Sequence, residues 1–278
     1  MLISFITLTW NSEKYLKGYF DSIISKCNVE QIDYEIIIID NGSHDRTLSI
    51  LNTYSMKLPE KIRIIKLDRN RGTTYSRNLG FKVANGKYIC VIDSDTELGT
   101  GNFREVLDRL QNHAEIGIIA PRLVLADGSV QNSVKRFPTL WDKLVKVPAV
   151  ILRAKVPSVD FYQDFPFDEV REVDSAISAC WIFKKELLET IGNLDENLFY
   201  SPEDLDYCLR VRKAGKQILY YPFMTVVHHT QQISHRKPFS KISLSHLGGL
   251  LYYYRKHGGW FSRPKFSAPE PECAKHAD

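Results

Sequence analysis

Two aspartates directly after a buried strand are the residues of this sequence best suited to chemistry. The stretch Tyr88 to Glu97, YICVIDSDTE, is apolar through Ile92 and then changes to Asp93-Ser94-Asp95. Carboxylates at the end of an apolar strand are costly unless a cation or a ligand offsets their charge. In an open α/β sheet ligands bind at the carboxyl ends of the strands, so we expect this site to hold a metal-bound diphosphate. The alternative interpretation is a strand followed by an Asx turn.

The elements that must position these carboxylates begin with an alternation of strands and helices over roughly the first 120 residues. Apolar runs of strand length lie at Leu2 to Thr9, 34–40, Ile62 to Leu67 and 88–92. The first helix is expected to follow a cap at Asn11-Ser12, and another is expected from Thr74 to Asn85, before Gly86. This pattern predicts βαβ units with right-handed crossovers, a Rossmann-like half over residues 1–120.

After Ile116 the pattern changes and predicts a mixed sheet. An Asp127-Gly128 turn favours a hairpin, and residues 135–173 lack periodicity, which indicates a long loop or lid. The other expected elements are a strand at Asp174–Phe183, helices at Lys185–Ile191 and Glu203–Ala214, extended pieces at Gln217–Tyr221 and Thr225–His228, and an amphipathic helix at Lys241–His257. The fold class is α/β with a mixed, mostly parallel sheet. We expect one domain over 1–265 and a disordered Pro-rich tail at 266–278.

Composition excludes several classes of protein. The chain has 278 residues, 44% of them hydrophobic, which is enough for a sizeable core. Its net charge of +4 suits an anionic substrate or membrane surface and does not by itself indicate nucleic acid. Five widely spaced cysteines, mostly in apolar runs, indicate reduced core thiols and a cytosolic protein. The sequence shows neither a signal peptide nor an apolar run of about 20 residues, so we expect neither secretion by that route nor a membrane span.

Four stretches together resemble one family. They are IIIDNGSHDRT, NRGTTYSRNLG, ANGKYICVIDSDTE, and FYSPEDLDYCLRVRKAG followed by VVHH. Their order and joint spacing, from about Leu2 to His257, resemble the inverting family 2 glycosyltransferases with the GT-A fold, and SPEDLDYCLR, VVHH and YYYRKH are similar to the rhamnosyltransferase-like branch. The resemblance implies a nucleotide-diphosphate sugar donor, Mg²⁺ or Mn²⁺, and inversion at the anomeric carbon. Residues 1–120 then form the nucleotide-binding half and residues 121–265 the acceptor-side half, where FYSP departs from the family pattern.

On the donor side, Asp40 at the end of the second strand is expected to accept the N3–H of a uracil or thymine base. Its alternative role is that of a turn-forming aspartate. Thr9 and Asn11 would line the nucleoside pocket, although Asn11 is equally well explained as a helix N-cap. Arg71 and Arg77 are expected to balance pyrophosphate or base-proximal charge, with surface solvation as the alternative.

The resemblance also implies a metal site. Asp95 is the expected direct ligand, Asp93 reaches ribose or the metal through water, and Ser94 lies with them in the donor site. Hard oxygen ligands and diphosphate oxygens suit Mg²⁺ or Mn²⁺. His228 resembles the family's third ligand and shifts the preference toward Mn²⁺. His229 would point elsewhere in an extended segment, so only one of the two histidines should ligate.

Inverting transfer needs a base on the acceptor side, and three acids at one helix start could serve. Glu203, Asp204 and Asp206 lie where the helix dipole favours ionised carboxylates. The family's ED motif places the base at Asp204, with Glu203 orienting the acceptor or the helix start. Asp206 is expected to pair with Arg210 one turn on. The alternative is an acidic helix start stabilised only by its own dipole.

Two other functions compete with this interpretation. A sugar nucleotidyltransferase would carry a Gly-rich phosphate loop after the first strand, and TLTWNSEKYL has no glycine. A non-catalytic carbohydrate-binding or scaffold protein on the same fold is the other alternative. The family implies a glycan or lipid-linked acceptor in surface polysaccharide synthesis, with dTDP-rhamnose or a UDP-hexose as donor. The basic and aromatic stretch Leu250 to Arg263 suits peripheral contact with the inner face of a membrane.

Overall fold

The computed structural model describes residues 2–144, 162, 165–229 and 241–266. The strands in these ranges are β1 Leu2–Thr9, β2 Asp33–Asp40, β3 Ile62–Lys66, β4 Tyr88–Ile92, β5 Thr96–Leu98, β6 Ile116–Val124, β7 Val134–Lys135, β8 Arg171–Glu172, β9 Ser175–Ala176, β10 Cys180–Lys184 and β11 Gln217–His228. The helices are α1 Leu16–Val29, α2 Thr47–Lys57, α3 Thr73–Val83, α4 Phe103–Asn112, α5 Leu140–Leu144, α6 Glu186–Ile191, α7 Glu203–Lys213 and α8 Lys241–His257.

The central sheet has the strand order β3-β2-β1-β4-β10-β6-β11-β5, with β8 beside β11. The first four of these strands are parallel. The strand β10 is antiparallel to both of its neighbours, β4 and β6. On the far side, β11 runs parallel to β6 and β5 antiparallel to β11. The predicted mixed, mostly parallel sheet is confirmed.

The isoleucine run of β2 is buried on both faces of this sheet. Ile36 and Ile38 belong to the hydrophobic core on one face, Ile37 and Ile39 to the core on the other, and none of the four is exposed. Successive side chains of a strand point to opposite faces. A continuous apolar run is therefore what a strand covered by helices on both sides requires.

Strand order brings polar residues to one edge of the sheet. Thr9 and Asp40 pair in register at the ends of β1 and β2. On its other side β1 pairs with β4, which Asp93 follows. Because β10 is antiparallel, its first residues lie at this same edge, with Cys180 opposite Ile92. The ends of parallel strands and the start of an antiparallel strand therefore lie together at this edge.

The predicted strand at Asp174–Phe183 is wrong, since the chain forms two strands there. Its first part is β9, which pairs with β7 in a separate two-stranded sheet, while β10 joins the central sheet. A turn at Ser178-Ala179 separates them. The two extended pieces predicted at 217–228 are instead the single strand β11, whose register shifts between Tyr221 and Thr225. Pro222 lies in that interval and has no N–H to donate to the ladder.

The predicted loop at 135–173 contains regular structure where it is described, including β7, α5 and β8. Thr139 and Asp142 cap the start of α5 reciprocally. The Asp142 carboxylate accepts from the Thr139 N–H at 2.8 Å, and the Thr139 hydroxyl accepts from the Asp142 N–H at 3.1 Å. Residues 145–161, 163 and 164 of that loop lie outside the described residues, as do residues 267–278 of the predicted tail. The Asp127-Gly128 turn is confirmed by φ +83° at Gly128 and an antiparallel bridge between Val124 and Val130.

The helix α8 is tied to α7 and to the loop before α7 by ion pairs. Asp206 accepts from Lys256 Nζ and from His257 Nε2, each at 2.7 Å. Asp195 accepts from Lys256 Nζ at 2.6 Å and from the Tyr252 hydroxyl at 2.8 Å. The Asp206 side chain is almost fully buried, and a buried carboxylate needs such partners. These contacts fix the C-terminal part of α8 against the start of α7.

Neighbouring glycines of α8 allow a test of this packing. A Cβ at Gly249 would lie 2.3 Å from the Ser201 carbonyl oxygen, whereas a Cβ at Gly248 meets nothing within 4 Å. We expect Gly249→Ala to lower the free energy of unfolding by about 1–3 kcal/mol because the helix must move. Gly248→Ala should raise it by up to about 1 kcal/mol, the helix-propensity gain alone. Urea unfolding of both variants measures the difference, and equal effects would contradict the close approach of α8 to Ser201.

The four described cysteines, Cys27, Cys90, Cys180 and Cys208, are buried free thiols, as expected, and Cys273 lies outside the described residues. Among the helices that the structure describes, none combines the length and the apolar character needed to cross a bilayer.

Candidate functional site

Three side chains at the sheet edge converge as a candidate metal centre. Asp93 follows β4, Asp95 precedes β5, and His228 ends β11, where it pairs in register with Thr96 of β5. One ligand atom from each of the three lies within 4.8 Å of the others. The His228 Nε2 atom is 3.5 Å from Asp95 Oδ1. Two carboxylate oxygens and an imidazole nitrogen form a donor set that suits Mn²⁺ and, less strongly, Mg²⁺.

The electrostatics of the cluster also suit a cation. Burial raises the pKa of Asp93, and the Asp95 carboxylate adds to the effect while Arg77 opposes it. Burial disfavours the charged form of His228, but the hydrogen bond and charge of Asp95 outweigh it and raise its pKa. These groups thus lie in a site where negative charge is under-compensated. A bound divalent cation would offset it.

The neighbouring histidine has a different role. His229 Nε2 lies 2.8 Å from Glu97 Oε1, and its ring stacks on Tyr15 at a centroid distance of 5.7 Å. Adjacent residues of an extended chain point to opposite sides. The His229 ring therefore contacts Glu97 and Tyr15 as a side chain that points elsewhere should, and ligation by only one of the two histidines stays a prediction.

Arg77 joins the candidate metal centre to the start of α7. Its Nη2 donates to Asp93 Oδ1 at 2.7 Å, and its Nη1 donates to Ser178 Oγ at 2.8 Å and lies 3.5 Å from Glu203 Oε1. Ser178 Oγ donates in turn to Glu203 Oε1 at 2.9 Å. The Arg77 side chain is only 3% exposed. A buried guanidinium between the side chains of Asp93 and Glu203 holds both in fixed positions, so the surface alternative for Arg77 is wrong.

The three acids of α7 lie in different environments. Burial and the charge of Asp204 raise the pKa of Glu203 to about 8, despite the opposing charge of Arg77. Asp204 is half-buried, and its Oδ1 accepts from the Leu205 backbone N–H at 2.8 Å. Asp206 faces α8 and also accepts from Arg210 Nε at 2.9 Å, as expected. Asp206 therefore serves the packing of the helices, and Glu203 and Asp204 remain for the site.

Asp40 lies at the end of β2 with its carboxylate partly occupied. Its Oδ1 accepts from Thr9 Oγ1 at 2.9 Å and from Ser43 Oγ at 2.6 Å, and its Oδ2 accepts from the Ser43 N–H at 3.1 Å. Asp40 therefore binds the turn that follows β2, and its contact with a pyrimidine base stays a prediction. A carboxylate has about four lone-pair sites, so these three bonds leave room for one further donor.

Asn11 is not the N-cap of α1, because that helix begins at Leu16, after Tyr15. Asn11 adopts φ +52°, a left-handed conformation that asparagine tolerates. Its Oδ1 accepts from the His44 N–H at 2.9 Å, and its own N–H donates to Ser43 Oγ at 3.0 Å. Asn11 thus ties together the loops that follow β1 and β2.

The remaining expected donor-site residues lie in two places. Ser94 Oγ is 2.9 Å from Ser12 Oγ, which links the loop after β4 to the loop after β1. Arg71 is exposed, with its Nε 3.7 Å from Asp68 Oδ1 and its guanidinium 5.6 Å from the Tyr75 ring centroid. The structure therefore brings Ser94 beside the aspartates and leaves Arg71 on the surface.

Three residues that the sequence analysis missed support the site. Asn41 Oδ1 accepts from the Arg71 N–H at 2.7 Å and so shapes the loop before α3. Ser178 bridges Arg77 and Glu203, and Gln131 lies 2.8 Å from His228. Asn41 stands next to Asp40 in an Asp-Asn-Gly sequence, a turn signal that could have identified it. Ser178 is 101 positions from Arg77 and Gln131 is 97 positions from His228, and no local pattern reports such contacts.

Comparison with known proteins decides the family. The model of the family described as Glycosyl transferase family 2 matches residues 4–192, more than half of the chain. The chain belongs to glycosyl transferase family 2. The family and enzyme class expected from the motifs are confirmed, and every residue from Thr9 to Ser178 discussed above lies within the matched range.

A relative that matches over most of the chain lies in the branch that the motifs indicated. This family 2 chain is 24% identical over 241 residues to a protein of Mycobacterium tuberculosis (strain ATCC 25618 / H37Rv) named N-acetylglucosaminyl-diphospho-decaprenol L-rhamnosyltransferase. The alignment covers 82% of this chain and 77% of the relative.

Solved structures share the fold. GalNAc-T7 with UDP, GalNAc and Mn²⁺ superimposes with a TM-score of 0.68 at 16% identity, covering 92% of this family 2 chain and 48% of that one. Staphylococcus aureus TarS 1–349 in complex with UDP gives a TM-score of 0.53 at 21% identity, covering 82% and 60%. The chain therefore spans about half to three fifths of those structures, and the predicted GT-A fold is confirmed.

The buried Glu203 of this family 2 member should make its stability depend on pH. The folded protein keeps the Glu203 proton up to about pH 8, against a usual value of 4.5. Between these values the unfolded chain binds fewer protons, so stability falls as pH rises, by at most about 1.4 kcal/mol per pH unit. Glu203→Gln removes this contribution. In urea unfolding, the free energy of unfolding of the variant minus that of wild type should therefore increase from pH 5.5 to pH 7.5. The control is Glu186→Gln, at an exposed acid in α6. If that variant showed the same change with pH, the pH dependence would not come from Glu203.

Proposed function

We propose that this protein is a metal-dependent inverting glycosyltransferase. It moves a sugar from a pyrimidine nucleotide-diphosphate donor, dTDP-rhamnose or a UDP-hexose, to a hydroxyl of a glycan or lipid-linked acceptor in surface polysaccharide synthesis. One observation carries the proposal: Arg77 contacts both Asp93 of the candidate metal centre and Glu203 at the start of α7. Arg77 thus links the aspartate proposed to face the leaving diphosphate to the helix start proposed to face the acceptor.

On the donor side, Asp95, Asp93 and His228 would hold Mn²⁺ or Mg²⁺. When bound, the metal supplies positive charge for the diphosphate as it leaves. Asp40 accepts the N3–H of the pyrimidine with its remaining lone pair, beside Thr9 and the Asn11 loop. Arg77 holds Asp93 in place and favours its ionised form against the effect of burial.

On the acceptor side, Asp204 removes the proton of the attacking hydroxyl. Asp206 is occupied by Arg210, Lys256 and His257, and Glu203 is buried against Ser178 and Arg77. Of the three acids, Glu203 and Asp206 are buried and Asp204 is only half-buried, so Asp204 is the one that an acceptor could reach. Glu203 anchors the helix start, and through Arg77 it sets the distance between base and metal centre.

Rhamnose is the favoured donor sugar. It is supported by the name of the Mycobacterium tuberculosis relative, whereas the alternative donor, a UDP-hexose, is supported by the UDP complexes of GalNAc-T7 and TarS. The family match favours transfer over nucleotidyl chemistry. The assay below must distinguish this transferase from a non-catalytic sugar-binding protein.

The test is release of nucleotide from a panel of UDP- and dTDP-sugars, with Mn²⁺, with Mg²⁺ and with EDTA, in the presence of polyprenyl-diphosphate-linked sugar acceptors. We expect one donor to give metal-dependent release of UDP or dTDP and a product of inverted anomeric configuration. Release of a nucleoside triphosphate with added pyrophosphate would identify a nucleotidyltransferase. Tight donor binding without turnover on any acceptor would favour the sugar-binding alternative.

We also propose that α8 contacts an anionic membrane surface near a lipid-linked acceptor. Leu247, Leu251 and Arg255 are spaced by four residues and so share one face of the helix. The leucines are 57% and 42% exposed, and Arg255 is exposed as well. Of the basic residues in the predicted stretch, Lys256 and Arg263 are engaged with Asp195, Asp206 and Asp142. An exposed apolar pair followed by a cation suits the interface of an anionic bilayer.

Co-sedimentation with vesicles tests this contact. We expect binding to phosphatidylglycerol vesicles that exceeds binding to phosphatidylcholine vesicles and falls several-fold in a Leu247→Gln, Leu251→Gln, Arg255→Gln triple variant. Met56→Gln, at an exposed apolar residue of α2, is the matched control. Equal recovery with both lipids, or equal binding by wild type and the triple variant, would contradict the proposal.

A further inference from the structure

The imidazole of His228 uses both of its nitrogens. Nε2 faces the aspartates, 3.5 Å from Asp95 Oδ1, while Nδ1 lies 2.8 Å from Gln131 Oε1. A histidine that ligates a metal through Nε2 must keep the lone pair on that atom, so its proton has to reside on Nδ1. An amide oxygen at hydrogen-bond distance accepts that proton and fixes both the tautomer and the ring plane.

Gln131 is itself held in place by the hairpin that follows β6. Its backbone N–H donates to the Leu123 carbonyl at 2.9 Å, one residue after the bridge between Val124 and Val130. Leu123 and Val124 pair with Val226 and Val227 of β11, just before His228. The backbone of Gln131 is thus connected to the backbone of His228 through two strand pairings, and its side chain is half-buried.

We propose that Gln131 is a positioning residue that holds His228 in the Nδ1–H tautomer and so presents Nε2 to a divalent cation. The inference rests on the proposed function, which places the cation between Asp93, Asp95 and His228. An amide does this without adding charge, so the ligand set keeps its two carboxylates as its only negative groups. The Asp127-Gly128 turn then has a purpose in the site, because it returns the chain so that residue 131 meets β11.

A merely structural contact and a tautomer-setting contact make different predictions. If Gln131 only stabilises the hairpin, its loss lowers the unfolding temperature and leaves the imidazole as it was. If it sets the tautomer, Gln131→Leu, of similar size, moves the proton of neutral His228 to Nε2. Gln131→Glu keeps an oxygen acceptor at the same place and should retain the Nδ1–H form.

Two measurements on the full chain test the proposal, and neither needs turnover. Long-range ¹H–¹⁵N spectra of ¹⁵N-histidine-labelled protein without metal, at a pH where His228 is neutral, report the tautomer of its ring. Titration with Mn²⁺ alone, followed by the loss of its free-ion electron paramagnetic resonance signal, reports affinity. We expect Gln131→Leu to switch the tautomer and weaken Mn²⁺ binding by about 10–100-fold, with Gln131→Glu close to wild type.

Asn132→Ala, one residue further along the same segment, is the matched control and should leave both readouts unchanged. An unchanged tautomer in Gln131→Leu overturns the proposal, as does a switched tautomer with unchanged Mn²⁺ affinity. Failure of wild type to bind Mn²⁺ would instead remove the metal-dependent function. In that case the tautomer measurement still decides whether Gln131 orients His228.

Discussion

Asp204→Asn reduces the rate of sugar transfer by about 10²–10⁴-fold while donor affinity stays near that of wild type, if Asp204 is the base. Asparagine has the size and shape of aspartate but does not accept the proton of the attacking hydroxyl. The Asp204 Oδ1 atom accepts from the Leu205 N–H, and the amide oxygen of asparagine can keep that bond, so the helix start should be retained. Steady-state transfer rates and calorimetric titration with the nucleotide measure the two quantities.

Asp206→Asn is the informative comparison. That substitution weakens the contacts to Arg210, Lys256 and His257, so it should lower the unfolding temperature by several degrees, with a smaller effect on the rate per folded molecule. Transfer by Asp204→Asn at nearly the wild-type rate would move the base to Glu203. Loss of donor binding in Asp204→Asn would place Asp204 in the nucleotide site instead.

Asp95→Ala should lower metal-dependent donor affinity by about 100-fold or more, with the fold intact. The variant removes one of two carboxylates from the candidate metal centre and leaves the diphosphate charge poorly compensated. Because the charge of Asp95 adds to the burial that raises the pKa of Asp93, removing Asp95 also relieves repulsion, so the unfolding temperature without metal should stay equal or rise. Titration of UDP and dTDP with and without Mn²⁺, beside thermal unfolding, measures both effects.

Asp33→Ala is the control for this variant, since Asp33 is exposed at the opposite end of β2 from Asp40. It should bind nucleotide and Mn²⁺ as wild type does. If Asp95→Ala also binds both with unchanged affinity, the assignment of the metal centre is wrong.

The sequence predicted the parts of the site that depend on strand ends. Asp40 and Asp93 follow apolar runs, and parallel neighbours end at one edge, so their proximity follows from the order of residues alone. His228 was inferred from a motif rather than from physics, because β11 reaches this edge only through the order of strands in the sheet. The helix start at Glu203 was predicted correctly for a similar reason, since an acidic first turn and a following amphipathic run mark it locally.

The failures arise where long-range contacts override local signals. Asn11 has the sequence context of an N-cap, but its side chain bonds to the loop after β2, and α1 begins four residues after Ser12. Ser178 looked like the middle of a strand, although a turn there points its hydroxyl at Arg77 and Glu203. Arg71, expected to meet pyrophosphate, lies on the surface beside Asp68, and its role stays a prediction.

The antiparallel insertion of β10 has a consequence for how the chain can be cut. All five residues of β4 are buried, and one whole side of β4 is paired by residues 180–184. Asp93 is the first residue after β4, and its N–H donates to the Ala179 carbonyl at 3.0 Å. A fragment ending near residue 120 would expose β4 as an apolar edge strand, a template for aggregation. During synthesis β4 therefore gains its second neighbour only after residues 180–184 have left the ribosome, and we do not expect residues 1–120 to fold as an independent module.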